Sequence, residues 1–153
     1  MEPTSTPDHN DTFDLNRFLT AQEGVYERAL AEIRNGQKRT HWMWYIFPQI
    51  AGLGYSSTAQ HYAIKSRQEA QAYLHHPVLG PRLRESAEAV LAAAASGRSV
   101  SDIFGYPDDL KLQSCATLFA SLPDAGSVFD TLLNDCFQGN RDEKTRQLLA
   151  KLG

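Results

Sequence analysis

The sequence lacks most of the features that mark secreted, membrane or metal-binding proteins. Only two cysteines occur among its 153 residues, Cys115 and Cys136, and neither has a partner cysteine or histidine at metal-site spacing. Both lie in apolar helical patterns, which predicts buried, reduced thiols. No window reaches the ~20 apolar residues that cross a bilayer, and the first residues form no signal peptide. We therefore expect a cytoplasmic protein with no membrane partner.

The sequence also lacks a strong charge of either sign and the common catalytic signatures. Its formal net charge is -3, which argues against nucleic acid as the principal partner because duplex binding usually requires a basic face. No GxSxG elbow, phosphate-binding loop or GxGxxG motif is present. The histidines have no metal-ligand spacing, so neither a metal nor a cofactor is predicted.

The hydrophobic pattern predicts a mainly α, compact, single-domain array of about seven or eight helices. Residues 1–12 are polar and contain two prolines, which favours a flexible tail before one helical domain at 13–153. A helical stripe runs from Asp14, a candidate N-cap, to a stop at Gly36. Pro81 fits the first turn of a long helix closed by Gly97. Further helix starts are predicted at the capping residues Ser57, Ser66, Ser99, Ser127 and Asn140, and at Asp108 or Asp109.

The segment from Thr40 to Gln49 has no polar residue between Trp42 and Phe47, so its periodicity does not separate a strand from a buried helix. Thr40 is a possible N-cap and Pro48 a stop, which favours a short helical turn followed by a loop.

Four stretches in order resemble a bacterial and fungal family known as domain of unknown function 1810. They read GQKRTHWMWYIFPQIAGLG, YAIKS, YLHHPVLGPRL and IFGYPDDLKLQSCATLF. The resemblance implies a mostly helical domain of this length and no agreed catalytic role. Some members carry the label calpastatin, but such inhibitors are disordered chains, whereas this sequence has enough periodic apolar helix to form a core.

The aromatic segment and its neighbours supply the candidate ligand site. Indole rings provide stacking area, His41 could transfer a proton near neutral pH, and the cations could bind an anionic group. The alternative is that the tryptophans are core and the cations are solvated helix ends. The candidate ligand-binding residues are Lys38, Arg39, Trp42, Trp44, Gln49, Lys111 and Ser114, and the candidate catalytic residue is His41.

Two functions remain open at this point. The first is a domain that binds or processes a nucleotide-like or phosphorylated small molecule. The second is a non-catalytic protein-interaction domain in which the aromatic segment is core or a partner patch. Lys111 and Ser114 lie three residues apart on one predicted helix face, although pairing of Lys111 with a carboxylate is the simpler interpretation.

Overall fold

The computed structural model describes residues 11–152, and this part of the chain folds into helices without a β-strand. The helices are α1 Asn16–Gln22, α2 Tyr26–Arg34, α3 Met43–Ile46, α4 Ser57–Tyr62, α5 Arg67–His75, α6 Leu79–Ala95, α7 Val100–Phe104, α8 Asp108–Ala120, α9 Val128–Phe137 and α10 Glu143–Leu152. The predicted mainly α class is confirmed. Seven of the ten helices in this range are substantial, and α3, α4 and α7 are short. Most of the predicted tail lies outside the described residues.

Two helices, α6 and α8, form the centre of the core. Helix α6 packs against α2, α5 and α9, while α8 packs against α5, α9 and α10. Fully buried side chains recur at helical spacing on α6, at Leu79, Leu83, Ala87 and Val90. Each large apolar side chain buried in this way contributes about 1.5–3 kcal/mol. Pro81 stands in the first turn of α6, as predicted.

The stripe from Asp14 to Gly36 forms two helices, so the prediction of one helix was wrong. Gly24 has a φ of 70°, a left-handed conformation that glycine adopts without strain, and it separates α1 from α2. Asp14 is not the N-cap. The carboxylate of Asp11 instead accepts hydrogen bonds from the amides of Leu15 and Asn16, at 2.6 and 3.0 Å.

The capping predictions were correct at Ser66 and Ser99. The Ser66 hydroxyl accepts from the Glu69 amide, and Ser99 with Asp102 forms a full capping box. At α4 the cap is Ser56, which accepts from the Ala59 amide, and not Ser57.

The predicted helix starts are correct at α8 and α9, where Asp108 is the first residue and Ser127 stands at the N-cap position, although the Ser127 side chain makes no capping hydrogen bond. The predicted cap of α10 was wrong. At α10 the carboxylate of Asp142, and not the side chain of Asn140, accepts from the Thr145 amide at 2.9 Å.

A buried ion pair joins α1 to α5. The guanidinium of Arg17 lies 2.6 Å from the carboxylate of Glu69, and the side chains are only 6% and 4% exposed. Arg17 also donates to the backbone carbonyls of Phe13, Asp14, His61 and Ala63. These bonds satisfy the guanidinium, which is the condition for a buried charge to be tolerated.

Replacement of Arg17 by Met is expected to lower the free energy of unfolding by about 3–5 kcal/mol, because it leaves the Glu69 carboxylate buried without its partner. Urea denaturation measures this change. The control is Arg146→Met, which breaks an exposed pair with Glu143 and is expected to cost less than about 1 kcal/mol. Equal losses of unfolding free energy for the two variants would contradict the conclusion that Arg17 and Glu69 form a buried ion pair.

Candidate functional site

The aromatic segment is anchored by the carboxylate of Glu32 on α2. Its Oε1 accepts hydrogen bonds from the backbone amides of Arg39 and Thr40, at 2.9 and 3.1 Å, and from the indole N–H of Trp42 at 2.8 Å. Its Oε2 accepts from the Thr40 hydroxyl at 2.8 Å. The sequence suggested Thr40 as the N-cap of α3. Its hydroxyl instead donates to Glu32, so this prediction was wrong.

These four donors keep Glu32 ionised. Burial raises the pKa of the carboxyl, but the hydrogen bonds from Arg39, Trp42 and Thr40 outweigh burial and lower the pKa to about 2. A carboxylate that accepts several hydrogen bonds in a buried place resists protonation, because protonation would leave some of the donors unpaired.

The segment itself forms the short helical turn α3, as predicted, and part of it is core. Trp42 is 1% exposed and packs with Phe47 and Phe104, with the three ring centroids 6.0–6.3 Å apart. Two of these contacts are edge-to-face, a favoured arrangement for aromatic rings. The core interpretation is thus correct for Trp42, while Trp44 is only half-buried.

A cleft of about 300 Å³ opens beside this core. It brings together five of the residues singled out from the sequence: Lys38, His41, Trp42, Trp44 and Lys111. Met43, Tyr45, Ser56, Thr58 and Asp108 complete its lining. We refer to it below as the lysine cleft.

Two ammonium groups converge on one carboxylate in the lysine cleft. The Nζ of Lys38 lies 2.8 Å from Oδ2 of Asp108, and the Nζ of Lys111 lies 3.2 Å from Oδ1. The backbone amide of Lys38 donates to the carbonyl of Ile103 at 2.6 Å, which holds this lysine near the start of α8. Burial raises the pKa of Asp108, but the two lysines outweigh it and lower the pKa below its ordinary value.

Each lysine also lies near an indole ring. The Nζ of Lys38 is 5.0 Å from the ring centroid of Trp42, and the Nζ of Lys111 is 4.5 Å from that of Trp44. Both distances fall within the ~6 Å range of cation–π attraction. The cleft therefore combines fixed positive charge with aromatic surface.

Three predicted site residues lie elsewhere. Arg39 is exposed and its guanidinium donates to Gln37. Ser114 is buried and its hydroxyl donates to the Leu110 carbonyl at 3.1 Å. The interpretation that Lys111 pairs with a carboxylate is correct, since its Nζ donates to Oδ1 of Asp108 at 3.2 Å. Gln49 lines a separate cavity.

This second cavity, which we call the Gln49 cavity, has a volume of about 200 Å³. Its lining is largely apolar and includes Ile50, Ala51, Gly54, Ala59, Tyr62 and Ala63. Trp44 lines both the Gln49 cavity and the lysine cleft. The Nε2 of Gln49 is buried and has no hydrogen-bond partner among the described residues.

Sequence reasoning missed the role of Glu32 and the place of Asp108 in the cleft. The sequence gives one signal for Glu32. It lies three residues after Ala29 and next to Ile33, two apolar residues of the helical stripe that are fully buried in the structure. Asp108 was predicted as a helix start and not as part of the site, because sequence spacing gives no sign that Lys38 reaches it.

No group of three His, Cys, Asp or Glu side chains within residues 11–152 is placed to hold a metal ion. Cys115 and Cys136 are free, and burial raises the pKa of both thiols. None of the described helices is long and apolar enough to span a bilayer.

The carboxylate of Glu32 should make stability depend on pH. Its pKa of about 2 in the folded state lies below the ordinary 4.5, so its contribution is complete above pH ~5 and is lost as pH falls toward 2. The difference corresponds to about 3 kcal/mol. Glu32→Gln is expected to lose about this amount at pH 7, and its deficit against the wild type should shrink with acidification in urea titrations.

The exposed Glu88→Gln on α6 is the matched control, for which no such deficit is expected. A deficit for Glu32→Gln that stayed constant from pH 7 to pH 2.5 would rule out the carboxylate as the source of the stability.

Comparison with known proteins agrees with the fold. The family described as "Protein of unknown function (DUF1810)" matches residues 12–149. A crystal structure of a conserved hypothetical protein from Mycobacterium tuberculosis is 51% identical, with a TM-score of 0.88, and the match covers 92% of this chain and 99% of the other. No curated protein matches the chain. The chain therefore belongs to the DUF1810 family of proteins of unknown function.

Proposed function

We propose that the protein binds a small anionic molecule that carries a flat ring, such as a nucleotide, in the lysine cleft. The observation that carries this proposal is the convergence of Lys38 and Lys111 on Asp108 beside two indole rings. A volume of about 300 Å³ is at the lower end of the range for small-molecule sites.

The charge balance of the cleft favours an anion. Two ammonium groups face one carboxylate, which leaves one positive charge in excess. An anionic ligand would neutralise this charge at a partly dehydrated place, where hydrogen bonds between ions are stronger than in water.

The two lysines have different freedom to reach a ligand. The side chain of Lys38 is 7% exposed, whereas that of Lys111 is 26% exposed. Lys38 is also close to Asp108, at 2.8 Å, so it neutralises this carboxylate. Lys111 is therefore the ammonium that can turn from Asp108 to a ligand, and Trp44 beneath it offers the stacking surface.

His41 and the hydroxyl-bearing residues complete the proposed site. His41 is exposed and lines the cleft, where it is the candidate group for proton transfer. Ser56 and Thr58 line the same cleft and supply hydroxyl groups of the kind that bind phosphate or sugar oxygens.

Titration with adenosine, uridine and guanosine monophosphates should quench the tryptophan fluorescence, because a stacked base contacts Trp44. Lys111→Met is expected to weaken the binding about 10- to 100-fold, the usual effect of losing a charged hydrogen bond. Isothermal titration calorimetry checks both affinities. Lys144→Met, on the exposed face of α10, is the matched control and should leave binding unchanged.

Absence of quenching and of heat with every nucleotide, from a folded protein, would reject the proposed function. Equal weakening by Lys111→Met and Lys144→Met would show a general charge effect rather than a site. Trp44→Phe shows which tryptophan is quenched by the ligand. This variant should abolish quenching, because the remaining Trp42 is shielded in the core.

A further inference from the structure

The side chain of Gln49 is an unusual feature of the core because its amide nitrogen is buried without a partner. The residue is 4% exposed, and its Nε2 donates to no described atom. Buried polar groups in folded proteins nearly always have a hydrogen-bond partner, and an unpaired one reduces stability. The Nε2 of Gln49 therefore lacks a hydrogen-bond acceptor that a ligand could supply.

The backbone on which Gln49 stands is fixed. The carbonyl of Gln49 accepts from the Ile64 amide at 2.9 Å, and the Ala51 amide donates to the Ile64 carbonyl at 2.8 Å. These bonds form an isolated parallel bridge between the loop after α3 and the residues after α4. The amide of Gln49 is thus presented from a rigid support, as a preorganised binding group requires.

The Gln49 cavity has the size and lining for one small ring. Its volume is about 200 Å³, and an engineered apolar cavity of about 150 Å³ in another protein holds benzene. Gly54 permits this shape, since a Cβ there would lie 2.6 Å from the Cβ of Ala59 and 2.9 Å from the indole of Trp44. Trp44 and Tyr62 provide aromatic walls for a flat group.

The surroundings favour an uncharged ligand. Most of the lining is apolar, and an ion placed there would lose its hydration. Two other side chains of the lining carry N–H donors, and both are partnered: Lys65 donates to the backbone carbonyl of Ala63 at 3.3 Å and the Gln60 amide donates to that of Tyr55 at 2.7 Å. The amide nitrogen of Gln49 is buried without a partner, and the group that complements an N–H donor is a carbonyl oxygen.

We propose that the Gln49 cavity is a second binding site, which takes a flat, uncharged ring bearing a carbonyl group that accepts a hydrogen bond from Nε2 of Gln49. The site is distinct from the lysine cleft, although Trp44 lines both, and it does not depend on the function proposed for that cleft.

Nuclear magnetic resonance of the ¹⁵N-labelled protein tests this site with three probes of similar size: benzamide, benzoate and toluene. The side-chain NH₂ signals of Gln49 are assigned by their loss in Gln49→Leu. Benzamide is expected to shift these signals and the Trp44 indole signal, and to bind about fivefold more tightly than either other probe, the usual effect of one neutral hydrogen bond. Benzoate tests for charge, and toluene tests for ring burial alone.

Gln49→Leu should weaken benzamide binding about fivefold while keeping or raising the melting temperature, because it removes an unpaired buried amide. The control Gln147→Leu, on the exposed face of α10, should change neither the affinity nor the Gln49 signals. Lys111→Met should also leave benzamide binding unchanged, which separates this site from the lysine cleft.

Unshifted Gln49 signals at saturating benzamide would overturn the proposal. Binding of toluene as tight as that of benzamide would also overturn the proposal, since the carbonyl would then have no role. Binding of benzoate as tight as that of benzamide would overturn it too, since the cavity would then accept a charged ring. If Gln49→Leu fails to fold, the comparison of the three probes on the wild-type protein still decides the question.

Discussion

The four hydrogen bonds to the carboxylate of Glu32 are the constraint on which the site depends. They fix the backbone at Arg39 and Thr40 and satisfy the indole N–H of Trp42, so that this ring can enter the core. Once Trp42 is fixed, the chain on either side has little freedom. Lys38 lies before the anchored residues and His41 within them, and both face the cleft that Trp42 helps to line.

Much of the fold could be predicted because helices are determined by local spacing. The apolar positions of α6, the turn with Pro81 and the capping box at Ser99 are all readable within one or two helical turns. The break at Gly24 was missed because the apolar stripe continues across it. Caps such as Asp11 and Asp142 were missed because neighbouring polar residues compete for the same amides, and periodicity does not rank them.

The sequence indicated several residues of the site but not how they are arranged in space. Residue type and proximity in sequence selected Lys38, His41, Trp42 and Trp44, which line one cleft together with Lys111. The carboxylate that organises this cleft comes from Asp108, about seventy residues beyond Lys38, and only the packing of α8 against α3 and α7 brings it there. Gln49 was predicted for the same site, yet it stands in the loop after α3 and lines another cavity.

The two tryptophans, which the sequence presents as a pair, have separate roles. Trp42 is 1% exposed and its N–H is bound by Glu32, so removal of its indole would disturb the core and the anchor together. Trp44 is half-buried, supports the ammonium of Lys111, and lines both cavities. A change of binding caused by a Trp42 variant would therefore not separate stability from recognition. Because Trp44 lines both cavities and its indole N–H is not bound to Glu32, a Trp44 variant tests recognition without removing a donor of the anchor.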